Sequence, residues 1–111
     1  MVPVIVESPY AGEVTRNEQY LRRCLRDCLM RGEAPLASHG LYTLPGVLDD
    51  QVHAERELGI HAGFAWRRLA LRTVVYEDYG ISAGMRLGIE HAQLLRHPIE
   101  YRRLLSAETT R

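Results

Sequence analysis

The chain has no lysine: all 14 basic residues are arginine, and they are balanced by 14 acids. Without net charge there is no long-range field to draw in nucleic acid or an anionic membrane surface. That excludes a general polyanion binder, while a local cluster of Arg can still meet one phosphate. Long apolar runs are also missing, since none approaches the ~20 residues that cross a bilayer, and the amino terminus lacks a basic stretch followed by a long apolar one. A soluble, cytoplasmic protein with no membrane partner is expected. Cysteine is scarce. Cys24 and Cys28 share one face of a predicted helix, where Cα atoms ~6 Å apart carry parallel side chains, a geometry that suits core thiols rather than a disulfide. His53 and His61 have no third ligand at metal spacing, so neither a metal nor another cofactor is expected.

What is present suffices for one core: 111 residues, 46% of them hydrophobic. The reading is a single domain over residues 1–105 with a frayed polar tail at 106–111. Val2-Pro3-Val4-Ile5-Val6 is a nearly continuous apolar run, as in a central strand covered on both faces, and it stops at Glu7-Ser8-Pro9-Tyr10-Ala11-Gly12. From Asn17 to Arg31, Tyr20, Leu21, Cys24, Leu25, Cys28 and Leu29 recur at helical spacing, with Thr15 or Asn17 as cap and Gly32 just past the end. Residues 34–39 read as a second short strand, and 40–49 as a long loop with His39 and Tyr42 at its base.

Asp49 or Asp50 can cap a helix running to about Leu71, with Val52, Leu58, Ile60, Ala62, Phe64, Ala65 and Leu69 on its apolar face. Gly59 and Gly63 stand on one side of it. Because each Gly costs a helix ~1 kcal/mol against Ala, the pair suggests a close-packed neighbour such as a second subunit. Leu71 to Tyr76 is a third strand, Pro98 to Arg102 a fourth at an edge. Strands alternating with helices predict a three-layer, Rossmann-like or flavodoxin-like α/β domain whose four-stranded parallel sheet has the order 2-1-3-4.

The stretch Val74 to Ala92 joins a β-branched strand, a turn carrying acids and glycines, and the start of a helix. In an α/β sheet a ligand usually sits at such a place, here facing the Ser8 to Gly12 loop. The helix start at Ser82-Ala83-Gly84 offers unpaired amides to a phosphate, and Arg86 in the first turn adds a charge-assisted donor.

These motifs together resemble the nucleoside 2-deoxyribosyltransferase-like family, in particular its short phage and bacterial members of unknown function. The resemblance rests on Ser8-Pro9-Tyr10-Ala11-Gly12, Arg31-Gly32-Glu33-Ala34-Pro35 and Tyr76-Glu77-Asp78-Tyr79-Gly80-Ile81-Ser82-Ala83-Gly84-Met85, in that order over nearly the whole chain. It implies a homo-oligomer with sites near the subunit interface and a nucleoside-like or nucleotide ligand. In the enzymes a Glu on the helix after the third strand attacks the anomeric carbon of a deoxyribose, the base leaves, and a second base or water takes the sugar. In the family pattern a hydroxyl or acidic residue is followed two positions on by Gly and six positions on by that Glu. Ser82 and Gly84 fit, but the sixth place is Gly88, and a register shifted by two residues puts Arg86 there.

The resemblance therefore implies a crevice without its usual nucleophile. Its expected binding residues are Ser8, Pro9, Tyr10, Gly12, His39, Asp78, Ser82, Gly84, Met85 and Arg86. Three functions remain open: a nucleotide-binding protein, an N-glycosidase or deoxyribosyltransferase that uses Asp78, Glu77 or Glu90 instead, or a structural or interaction protein whose crevice is vestigial. Asp78 corresponds to an acid that contacts the base in the enzymes, whereas Glu90 lies ~200° around the helix from residue 88.

Overall fold

The computed structural model describes residues 1–105, so the tail expected at 106–111 lies outside the described residues. Four strands, β1 (Val2–Glu7), β2 (Glu33–Leu36), β3 (Arg72–Tyr76) and β4 (Ile99–Arg102), pair in parallel in the order β2-β1-β3-β4, as the alternation of elements predicts. Helices α1 (Val14–Met30), α2 (Ser38–Leu41), α3 (His53–Arg67) and α4 (Ala83–Leu94) connect them. Among the described residues no helix is long and apolar enough to cross a membrane.

Period-two alternation divides each central strand between two cores. Val4, Val6, Val74 and Tyr76 meet Tyr20, Leu21, Cys24 and Cys28 of α1, whose thiols are free. Val75 packs on the opposite face with Met85 and Ile89 of α4. Burial raises the pKa of both thiols, which keeps them protonated and inert. The two edge strands are tied by a buried ion pair: Arg102 of β4 donates from both Nη atoms to Glu33 of β2 at 2.7 Å, and Arg72 adds a third bond to that carboxylate.

Several local expectations change. Asn17 is not a cap. It is buried in the first turns of α1, where its Nδ2 donates to the carbonyls of Tyr10 and Ala11 and so fixes the 8–12 loop. Residues 38–41, read as strand end and loop, form α2 instead. Val52, not Asp49 or Asp50, is the residue before α3, and that helix stops at Arg67 rather than near Leu71. Its buried residues are Gly63 and Arg67, while Val52, Leu58 and Leu69 are exposed. The glycines explain the rotation. A Cβ on Gly63 would lie 2.5 Å from Ser38 Oγ, and one on Gly59 would lie 3.3 Å from Leu48. The close neighbour inferred from this pair is thus α2 and the following loop of the same chain. Gly32 does behave as expected, adopting a φ of +81° just beyond α1.

Candidate functional site

The carboxyl end of β1 opens into a cavity of about 170 Å³. Its walls are the start of the 8–12 loop, α2, one face of α3 and the head of α4. Of the residues expected at a site, it brings together Ser8, Tyr10, His39, Ser82, Gly84 and Met85. Gly12 lines an adjoining depression under the 43–51 segment.

The remaining candidates lie elsewhere. Asp78 does not line the cavity; its carboxylate accepts from the amides of Leu104 and Leu105 and from the Tyr20 hydroxyl, tying the chain beyond β4 to the core. Glu77 pairs with Arg103 at 3.0 Å. Glu90 and Arg86 are exposed on α4, and Pro9 is buried within its loop. Ser82 caps α4, accepting from the Met85 amide at 3.2 Å, so one of the amides expected to face a phosphate is already bonded.

Glu7, Asp50 and Glu55 are the carboxylates of the cavity wall, and Glu7 is the one that lies against Gly88 of α4. This residue ends β1, where alternation directs its side chain toward α3 and α4. A Cβ built on Gly88 would have every atom of the Glu7 carboxyl group within 2.6 Å. Real Cβ contacts do not come so close, so Glu7 in this position requires Gly at 88. The space that residue 88 leaves empty is filled from β1.

Arg67 holds Glu7 there. Its guanidinium is almost wholly buried and divides its donors three ways: Nη2 to Glu7 Oε2, Nε to Thr73 Oγ1 at 3.1 Å, and Nη1 to His91 Nδ1 at 2.9 Å. His91 accepts that bond only when Nδ1 carries no proton, and its ring stacks on Phe64 with centroids 3.9 Å apart. Burial and the neighbouring Arg67 hold its pKa below the ordinary value, consistent with a neutral ring. For Glu7, burial outweighs the pull of Arg67 and raises its pKa to about 7.

Across the cavity, Ser8 Oγ lies 2.7 Å from His39 Nε2, and burial lowers the His39 pKa to about 4. The site therefore contains one carboxyl group that titrates near neutrality and one imidazole that is neutral there. Displaced pKa values of this kind cluster at functional sites. Arg56 is at the rim. Its guanidinium lies over the head of α4, 3.8 Å from where a Cβ on Gly84 would be, and its Nε is 3.8 Å from Asp50.

Residues 2–102 match the model of a family described as a domain of unknown function, DUF7768. The chain belongs to this family. No curated protein sequence matches it. Among solved structures, a 2-deoxyribosyltransferase from the psychrotolerant bacterium Bacillus psychrosaccharolyticus resembles this DUF7768 chain with a TM-score of 0.62 at 16% identity, over 91% of this chain and 72% of that one. The likeness is one of fold: a parallel α/β sheet of the deoxyribosyltransferase type.

Neither Glu7 nor Arg67 stands out in the sequence as a site residue. A single acid after an apolar strand reads as the strand's end, and an Arg in a helix rich in charge reads as solvated. The available signal was the position of Glu7 at the carboxyl end of a central strand, where α/β ligands bind.

Proposed function

We propose that the cavity binds a nucleoside or nucleotide and that Glu7 acts on its N-glycosidic bond, as a hydrolase or a deoxyribosyl transferase. One observation carries this reading: the Glu7 carboxyl group occupies the space of the missing residue-88 side chain. In one of the two registers of the resemblance, residue 88 is the place of the attacking Glu; in the other it is Arg86. A carboxylate delivered from β1 to the same volume supplies the same functional group from another backbone position.

In the proposed step an oxygen of ionised Glu7 attacks C1′ of the sugar as the C1′–N bond breaks. The bonding pair leaves with the base, which takes a proton from solvent. The sugar is then an ester of Glu7. Water, or a second base, attacks C1′, loses a proton and regenerates the carboxylate. Arg67 balances the charge of Glu7 and fixes its orientation. A carboxyl titrating near 7 is partly ionised at neutral pH, so attack strengthens as pH rises through that value.

A second reading, binding without chemistry, is favoured by the buried Arg67–Glu7 ion pair, which neutralises the carboxylate. The two are separated by incubating the protein with a panel of nucleosides, 2-deoxynucleosides and their monophosphates, and following free base by chromatography beside calorimetry. Base release supports the enzyme. Heat of binding without base release supports the binding protein, and neither signal removes both readings. The homo-oligomer implied by the resemblance belongs to the same proposal, and sedimentation of the purified chain tests it.

A further inference from the structure

Ser8 and His39 form a polar pair in the cavity wall that the proposed attack does not use. Ser8 is 4% exposed, and among the described residues its Oγ makes one hydrogen bond, at 2.7 Å to His39 Nε2. The second ring nitrogen, Nδ1, has no protein partner among the described residues, although every buried side-chain N or O there has one. A cavity-lining imidazole is thus fixed at one nitrogen and open at the other.

The open nitrogen has a definite character. A hydroxyl in so closed a position needs an acceptor for its proton. When Ser8 donates to Nε2, the proton of the neutral ring is on Nδ1, and an N–H donor is left for the cavity. In the opposite arrangement Nε2–H donates to Ser8, and the hydroxyl proton has no acceptor among the described residues. Only the first arrangement gives the buried Ser8 proton an acceptor.

Protonation order decides what the pair does. Attack needs Glu7 ionised, above a pKa of about 7, whereas His39 carries a proton to give away only below about 4. Only a small fraction of molecules meets both conditions at any pH, so His39 is poorly suited to protonate a leaving base. A fixed neutral donor is suited to recognition instead.

We infer that the Ser8–His39 pair is a specificity element that presents the N–H of His39 Nδ1 to a carbonyl oxygen on the base of a nucleoside-type ligand. The inference rests on the nucleoside reading above and adds to it a preference among bases. A carbonyl accepts this bond, while an amino group at the same place meets donor with donor and leaves both unpaired.

Two measurements on the full chain test it. In long-range ¹H–¹⁵N spectra of histidine-labelled protein at pH 7, His39 is expected in the Nδ1–H form with Nε2 as acceptor, and Ser8→Ala moves it toward Nε2–H. A wild-type ring already in the Nε2–H form overturns the inference. Calorimetry with 2-deoxyinosine against 2-deoxyadenosine, and 2-deoxyuridine against 2-deoxycytidine, is expected to favour the carbonyl-bearing member of each pair by about fivefold, the worth of one hydrogen bond. Ser8→Ala and His39→Phe bring those ratios close to unity, and His39→Gln, which keeps a donor, restores part of the preference. Circular dichroism confirms that each variant folds. Ratios unchanged in the variants overturn this inference and leave the nucleoside reading standing, while no binding of any of the four probes by the wild-type protein overturns both.

Discussion

Glu7 and Gly88 share one volume. The carboxyl group of the first fills the space that any side chain on the second would need, so the two positions can hold one large residue between them. Gly88→Ala is therefore expected to displace Glu7 or to unfold the protein in part, with a loss on the order of 1 to 3 kcal/mol from overpacking. Glu7→Ala in the same chain makes room and should recover much of that loss. Urea denaturation of the two single variants and the double variant measures the coupling.

Two displaced pKa values give opposite pH dependences of stability. Glu7 has a pKa of about 7 in the fold against an ordinary 4.5, so the folded state holds the extra proton between those values and stability falls as pH rises through that window. His39 is held at about 4 against 6.5, so the unfolded state takes up the proton first and stability rises with pH across that range. His91, also below its ordinary value, adds a slope of the same sign as His39. In the wild-type chain the Glu7 slope offsets part of the opposite slopes of His39 and His91. Glu7→Gln is expected to leave stability rising from pH 4 to 6.5, and His39→Phe to tilt it toward a fall from pH 4.5 to 7, as urea midpoints at a series of pH values will show.

The Glu33–Arg102 pair between the two edge strands is buried on both sides. Removing one partner strands the other as an uncompensated charge. Arg102→Met is expected to cost about 3 to 5 kcal/mol in urea denaturation. Arg102→Met with Glu33→Gln should cost less than Arg102→Met alone, because the stranded charge is gone.

Gly63 and Gly59 discriminate packing within the chain from packing between chains. Gly63→Ala would put a Cβ 2.9 Å from Ser38 Cβ and 2.5 Å from its Oγ, so it is expected to lower the melting temperature, with Ser38→Gly relieving it. Gly59→Ala meets the flexible end of Leu48 at 3.3 Å and Tyr42 Cβ at an ordinary 3.9 Å, and should be nearly neutral. A change in sedimentation on Gly63→Ala without loss of stability would return this helix face to a subunit contact.

The sheet order was legible because its signals are local: apolar runs for the two central strands and shorter, more polar segments for the two edges, alternating with helices. The buried face of α3 was not. Leu58, Ala65 and Trp66 are exposed, Ile60 and Phe64 line the cavity, and Gly63 and Arg67 are the buried residues, so the fit depends on α2, a single turn that no periodicity marks. For the site, Ser8, His39 and the head of α4 were readable as loop and strand-end residues at the usual place for a ligand. Asp78 looked suitable by spacing, yet its carboxylate meets the backbone at Leu104 and Leu105. The empty seat at Gly88 was visible in the sequence. Its occupant was not, because only the fold brings residue 7 beside residue 88.

The central claim is that Glu7 does the work of the absent residue-88 carboxylate, and base release from 2-deoxynucleosides tests it most directly. Wild-type protein is expected to release free base, with a rate that rises as pH passes through about 7. Glu7→Ala should lower that rate at least about a hundredfold, and Glu7→Ala combined with Gly88→Glu, which returns a carboxylate to the same volume from α4, should recover a measurable part of it. Base release that survives in Glu7→Ala, or is absent from the wild-type protein with every 2-deoxynucleoside tried, would contradict the account.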